Sequence, residues 1–169
     1  MTAAPATMCA AFQATIARYA GEVAVRTAGD ASTLTFGDWG RQVRTLAGGF
    51  AALGVGHGSK VALMLANRPE FYPIDTAVVH LGAAPFSMYN TSSPEQLNHL
   101  LGDSGAEVVV CESQFLPVIA KGRTGTAVRH IVCIDGGDAE TLSLEDLAAR
   151  VDADFDFESA GARCNPMMC

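Results

Sequence analysis

The apolar residues fall into two alternating kinds of pattern. Met8, Phe12, Ile16 and Tyr19 recur at steps of three and four and predict an amphipathic helix ended by Gly21. Val23 and Val25 alternate with Ala24 and Arg26 as a short strand, and a turn at Gly29-Asp30 leads to a second at Thr33-Leu34-Thr35. Thr35 then stands as an N-cap with Asp38 three residues on. Behind it Phe36, Trp39, Val43, Leu46, Phe50 and Leu53 form one apolar stripe, with Arg41 and Arg44 on the outer side and Gly54 at the end. Lys60 to Ala66 is a near-continuous apolar run of strand length, the signature of a strand covered on both faces. Asn67-Arg68-Pro69-Glu70 is expected to open a helix whose buried side is Phe71, Ile74, Val78 and Leu81, stopped by Gly82.

The same alternation continues. Pro85 to Tyr89 is a strand candidate. Ser93-Pro94-Glu95-Gln96 starts a helix with a capping box, and Leu97, Leu100 and Leu101 are expected to face inward before Gly105 terminates it. Glu107 to Cys111 is a third strand, residues 113–121 a helix containing Pro117, His130 to Ile134 a fourth strand, and Ser143 to Arg150 a last helix. This order predicts the α/β class: a mostly parallel sheet with helices on both faces.

Length and charge narrow the function. With 169 residues and 49% hydrophobic composition the chain can bury roughly two thirds of its unfolded surface as one domain. A net charge of −7 speaks against nucleic acid as a partner, since phosphates call for a basic field. Residues 135–158 hold nine acids and one base, Arg150, which reads as a solvated face. The most apolar stretch, Phe71 to Tyr89, carries Asp75, His80, Pro73 and Pro85, so no transmembrane segment is expected. No basic residue precedes Arg18, so no secretory signal is read. The expected location is cytoplasmic, with peripheral contact at a membrane left open.

Site chemistry is sparse. The five cysteines (Cys9, Cys111, Cys133, Cys164, Cys169) and four histidines (His57, His80, His99, His130) show no metal-ligand spacing, and the cysteines read as reduced thiols, two of them on core strands. Gly54, Gly56 and Gly58 lie between a helix end and a strand, the reverse of a dinucleotide fingerprint, and read as a turn. Gly122-Arg123-Thr124-Gly125-Thr126 lacks the Gly-Lys-Ser/Thr of a phosphate loop and reads as a surface loop. Asp75 and His80, five apart on a helix, do not share a face, and each histidine reads as an incidental surface or partly buried residue. No catalytic, cofactor-binding or metal residue is assigned.

A resemblance goes further. Leu34-Thr-Phe-Gly-Asp-Trp39, then Leu53-Gly-Val-Gly-His-Gly-Ser-Lys-Val-Ala-Leu-Met-Leu-Ala-Asn-Arg-Pro-Glu-Phe71, Gly82-Ala83, Ser92-Ser93-Pro94-Glu95-Gln96-Leu97 and Asp103-Ser104-Gly105-Ala106-Glu107-Val108-Val109-Val110 follow one another. In this order and spacing they resemble the N-terminal part of adenylate-forming (AMP-binding) acyl-CoA synthetases. Tyr89-Asn-Thr-Ser-Ser93 is similar to the long-chain fatty-acid–CoA ligase branch. The resemblance covers residues 8–158 and implies the N-terminal portion of that fold. For the full-length family it implies a ligase using fatty acid, ATP, Mg²⁺ and CoA: the carboxylate attacks the α-phosphate of ATP, pyrophosphate leaves, and the CoA thiol displaces AMP.

The family's phosphate-binding loop, Thr-Ser-Gly-Thr-Thr-Gly-x-Pro-Lys-Gly, would follow residue 158, and neither it nor the later catalytic Lys occurs in these 169 residues. The expectation is therefore a truncated ligase, inactive alone and with no cofactor bound by this fragment. The alternative is a small complementing domain that pairs with a separately encoded remainder of the ligase. Two domains are drawn: 1–158, a partial synthetase domain, and 159–169, a non-homologous tail. A one-base deletion in codons for Trp-Arg-Ala-Val-Gln-Pro-Asp-Asp-Val would give Gly-Ala-Arg-Cys-Asn-Pro-Met-Met and permit the final Cys, so the tail is expected to be a frameshift product. Without later strands, sheet edges and apolar faces are expected to stay uncovered, leaving the chain marginal, aggregation-prone or partner-bound.

Overall fold

A computed structural model describes residues 5–162, apart from the Asp30 side chain. The elements are α1 (Met8–Tyr19), β1 (Val23–Arg26), β2 (Thr33–Thr35), α2 (Phe36–Ala52), β3 (Lys60–Met64), α3 (Phe71–His80), β4 (Ala84–Ser87), α4 (Pro94–Ser104), β5 (Val108–Cys111), α5 (Leu116–Gly122), β6 (His130–Cys133), α6 (Leu144–Ala148) and α7 (Phe157–Ala162). Strands β1 and β2 pair antiparallel as a hairpin. The other four form one parallel sheet in the order β4-β3-β5-β6.

Alternation along the strands divides the core in two. Val61, Leu63, Val108, Val110 and Val132 point to one face, where α2, α3, α6 and α7 bring Phe50, Ile74, Val78, Leu147 and Phe157. Ala62, Met64, Val109, Cys111 and Ile131 point to the other, under Leu97 and Leu101 of α4 and Ile119 of α5. Both faces are thus closed by helices of this chain, which corrects the expectation of uncovered apolar faces. The sheet edges are also managed. Backbone amides of Ala84 and Met88 donate to Ser59 and Leu63 on the β3 side, so by strand alternation position 85 faces outward. Pro85 occupies that outward position and removes a donor from the open edge of β4. At the other edge, Leu142 bridges β6, with Cys133 N donating to Leu142 O and Leu142 N to Ile131 O.

Caps follow the sequence closely. Ser93 and Gln96 form a reciprocal capping box on α4 with Pro94 in the first turn, and Ser143 and Asp146 do the same for α6. Thr35 Oγ1 accepts from Asp38 N at 3.1 Å. Gly105 closes α4 in the left-handed region, φ 65°. Other expectations shift. β3 ends at Met64, and α3 begins at Phe71 because Asn67–Glu70 form a turn first; Pro73 then falls among the first-turn amides that have no intrahelical acceptor. β4 ends at Ser87 rather than Tyr89. Residues 113–115 are a 3₁₀ turn, and the α-helix starts at Leu116 with Pro117 at its head. Leu100 is 38% exposed and so is not an inward residue; it lies between the two that are, Leu97 and Leu101. The nine acids of residues 135–158 are all exposed. Helix α7 runs across the boundary drawn at residue 158 and buries Ala160 and Gly161; residues 163–169 of the expected tail lie outside the described residues.

Candidate functional site

In a parallel sheet, ligands are received at the carboxyl ends of the strands, where the chain order reverses. Here that point is the end of β3, because β4 continues on one side of it and β5 on the other. A cleft of about 630 Å³ opens there. Val25, Thr27 and Ala28 of the hairpin form one wall; Leu65, Asn67, Arg68, Phe71 and Tyr72 form the other.

Arg68 dominates the floor of this region. Its guanidinium donates to Glu70 at 3.1 and 3.3 Å, to Glu112 at 3.3 Å and to Asp135 at 3.3 Å. Glu112, 5% exposed, follows β5 directly and also accepts from Ala66 N at 2.6 Å and Gln114 Nε2 at 3.1 Å. Asp135 follows β6 and accepts from Ser113 N at 2.7 Å. The cluster therefore ties together the carboxyl ends of β3, β5 and β6. Burying the Glu112 carboxylate is tolerable only because its oxygens are paired. The Arg68 guanidinium holds the Glu70 carboxyl below its ordinary range, and the Ser113 amide does the same for Asp135, with smaller help from the Cys133 thiol and Arg68. Arg68 itself is pushed upward, chiefly by its bond to Glu70. A guanidinium shared by three carboxylates is a brace, not a free anion receptor.

The two glycine-rich segments spend their polar groups internally. Gly58 N donates to Gly82 O at 3.0 Å and Gly56 N to Ser59 Oγ at 3.1 Å. In the second, Asn98 Nδ2 donates to the carbonyls of Gly122 and Thr124, and Arg123 pairs with Glu140 at 2.8 Å. Neither resembles a row of free amides ready for phosphate. The first is a turn as read; the second is a surface loop only from Arg123 on, because Gly122 is the buried last residue of α5, packed against Leu97.

The residues weighed for chemistry lie apart. His57 and His99 are exposed and His130 is half-buried, but His80 is 1% exposed, so it is no incidental surface residue. Its Nδ1 contacts Thr76 O at 2.9 Å and not Asp75, whose carboxyl is raised by burial. Cys111 and Cys133 are register partners on β5 and β6, both buried; burial first, then the neighbouring Cys133, pushes Cys111 to about 12, so this pair rests as thiols. Among the described residues, no group of three or more His, Cys, Asp or Glu is placed to hold a metal ion. The Arg68 cluster escaped the sequence reading. Its available signal was that Glu112 and Asp135 are the first charged residues after two apolar strand runs, which a parallel sheet brings to one edge.

A family model described as "AMP-binding enzyme" matches residues 12–164. An uncharacterized Mycobacterium tuberculosis protein, Rv1549, is 46% identical over 135 residues, which are 80% of this chain and 76% of that one. The long-chain-fatty-acid–CoA ligase FadD15 of Mycobacterium bovis is 32% identical over 122 residues, 70% of this chain but 20% of the ligase. In structure, a long-chain-fatty-acid–CoA ligase (FadD1) of Archaeoglobus fulgidus superposes with a TM-score of 0.74 at 20% identity, over 92% of this chain and 32% of that one. The chain thus spans about three quarters of the short mycobacterial relative and about a fifth of the ligase relative.

Proposed function

Because the chain belongs to the AMP-binding enzyme family, we propose that it is the N-terminal scaffold of an ATP-dependent fatty-acid–CoA ligase and does not catalyse adenylation by itself. The observation that carries this reading is the family match over residues 12–164 joined to coverage of only a fifth of a fatty-acid–CoA ligase. The residues present do not fit a nucleotide triphosphate with Mg²⁺. Gly54, Gly56 and Gly58 amides and the Gly122 and Thr124 carbonyls are engaged within the fold, and Arg68 is neutralised three times over. No step through ATP, Mg²⁺ or CoA is therefore derived on this chain. Its own contribution is to hold the carboxyl edge of a parallel sheet and the cleft above it in place. The proposed setting is the cytoplasm, where the remaining ligase segments would supply the anion cradle.

A second reading, a separate complementing subunit, is favoured by the mycobacterial relative, because a chain of about this extent recurs there at 46% identity. One experiment separates the two. ATP–pyrophosphate exchange is measured with a long-chain fatty acid, using this polypeptide alone and together with a ligase polypeptide that begins at the Thr-Ser-Gly-Thr-Thr-Gly loop. No exchange alone and exchange on mixing supports complementation. No exchange in either case supports a scaffold that works only in covalent continuity. Exchange by this polypeptide alone defeats both readings.

A further inference from the structure

His80 closes the last turn of α3 at a point where four helices meet, and its surroundings are unusual for a group that titrates near neutrality. The ring is 1% exposed. Thr76 O can only accept, so Nδ1 at 2.9 Å carries the proton and donates to it. Nε2 is then a lone pair, buried and without a hydrogen-bond partner among the described residues. The flat face of the ring stacks on Phe157 of α7, centroids 4.9 Å apart and planes 12° from parallel, and Phe12 of α1 meets it edge-on at 5.5 Å. Gly161, one turn along α7, lies so close that a Cβ there would sit 3.4 Å from His80 Cδ2.

Helix α7 also buries Ala160 and Gly161, and its Phe157 belongs to the core under the sheet. Arg44 of α2 stacks on Phe157 at 4.6 Å from the ring centre and pairs with Glu158 at 2.5 and 3.1 Å. At Phe157 the seam therefore joins the imidazole and a guanidinium through one ring, with Phe12 edge-on to the imidazole.

We propose that His80 is a pH-sensitive latch for α7: as a neutral imidazole it holds Phe157, and as an imidazolium it releases it. The inference stands apart from the ligase reading, since it uses only the α1–α2–α3–α7 seam. A proton added at Nε2 would place a full charge between two aromatic rings, where no described group accepts from it. Undocking α7 lets that nitrogen meet water. Among the described residues, the charged groups around the seam are Arg41 and Arg44 on α2, Glu158 on α7 with Asp156 just before it, and Asp75 on the same helix as the imidazole; α1 brings Gln13 and the Cys9 thiol. None of them hydrogen-bonds the ring, and burial lowers the imidazole's affinity for protons more than the Thr76 contact restores it.

The sign follows. A histidine whose docked-state value is depressed stabilises docking above its free value, near 6.5, and loses that contribution as pH falls below it. The Arg44–Glu158 pair does not drive the change, because Arg44 holds the Glu158 carboxyl below its ordinary range.

The test is hydrogen exchange of the full chain, read by mass spectrometry on a peptide covering 157–162 and corrected for intrinsic rates. Between pH 7.5 and 5.0 protection of this peptide is expected to fall by up to about 30-fold while peptides of β3 and β5 hold. His80→Phe keeps the stack and removes the titration, so its 157–162 protection is expected to stay level. Phe157→Ala is expected to lack that protection already at pH 7.5. Level protection in the wild-type chain, an unchanged pH dependence in H80F, or full protection in F157A overturns the proposal. If H80F does not fold, the imidazole of the wild-type chain is titrated by NMR. A midpoint below 6.5 that coincides with loss of α7 protection supports the latch, and an ordinary midpoint with α7 still docked overturns it.

Discussion

Glu112 ties three groups together at the carboxyl edge of the sheet, accepting from Ala66 N, Arg68 and Gln114. Replacing it with Ala leaves Ala66 N without its acceptor and the Arg68 guanidinium short of a buried partner. We expect Glu112→Ala to cost about 1–3 kcal/mol in urea unfolding, since Arg68 keeps Glu70 and Asp135, and Glu112→Gln to recover only part of it, since one oxygen still accepts while the NH2 faces a donor. The neighbouring carboxylates add a pH dependence. Glu70 and Asp135 are both held below their ordinary values in the folded chain. Their stabilisation is present above about pH 4, where the unfolded groups ionise, and is lost as pH falls further. A urea midpoint that declines below pH 4 in the native chain, and less steeply in Arg68→Met, which removes the Glu70 part while the Ser113 amide still holds Asp135, is the expected result. None of this was legible residue by residue. Positions 68, 112 and 135 are far apart in the chain, and only the strand order brings them to one edge. His80 was hidden for another reason: its burial depends on α7, which no periodicity in residues 157–162 announces.

At the scale of elements, α2 shows what a stripe reveals and what it omits. Val43, Leu46 and Phe50 are buried as the spacing requires, yet Gly40, Ala47, Gly48 and Gly49 are buried too. The helix is covered on more than one side, and its small residues admit α1, α6 and the chain after α6. A Cβ at Gly40 would meet Ile16 Cδ1 at 2.7 Å, and one at Gly49 would collide with the Leu147 carbonyl oxygen. The second obstacle is backbone and cannot rotate away. Gly49→Ala is expected to lower stability by about 1–3 kcal/mol and to loosen α6, visible as faster hydrogen exchange in residues 144–148. Ser93→Ala removes a reciprocal cap and is expected to cost about 1 kcal/mol in thermal or urea unfolding. The caps were readable because they are local chemistry: a hydroxyl, a proline and an amide within four residues. The glycines in α2 were not, since a close helix approach leaves no pattern except small size.

For the whole molecule, alternating runs were enough to specify a parallel α/β sheet with two covered faces, and both halves of the core obey the period-two rule. Strand order was not specified, nor was the way each edge is blunted. Pro85 faces out from the open edge of β4, so Pro85→Val restores an outward donor and is expected to increase self-association, measurable by light scattering after size exclusion. The central claim is that these residues build a folded scaffold without a grip for a triphosphate. Its most direct test is isothermal titration of the isolated chain with Mg²⁺·ATP, on a sample shown by circular dichroism to melt cooperatively. The account predicts a folded protein that takes up no nucleotide at millimolar concentration. Saturable binding of ATP by this folded chain alone would contradict it.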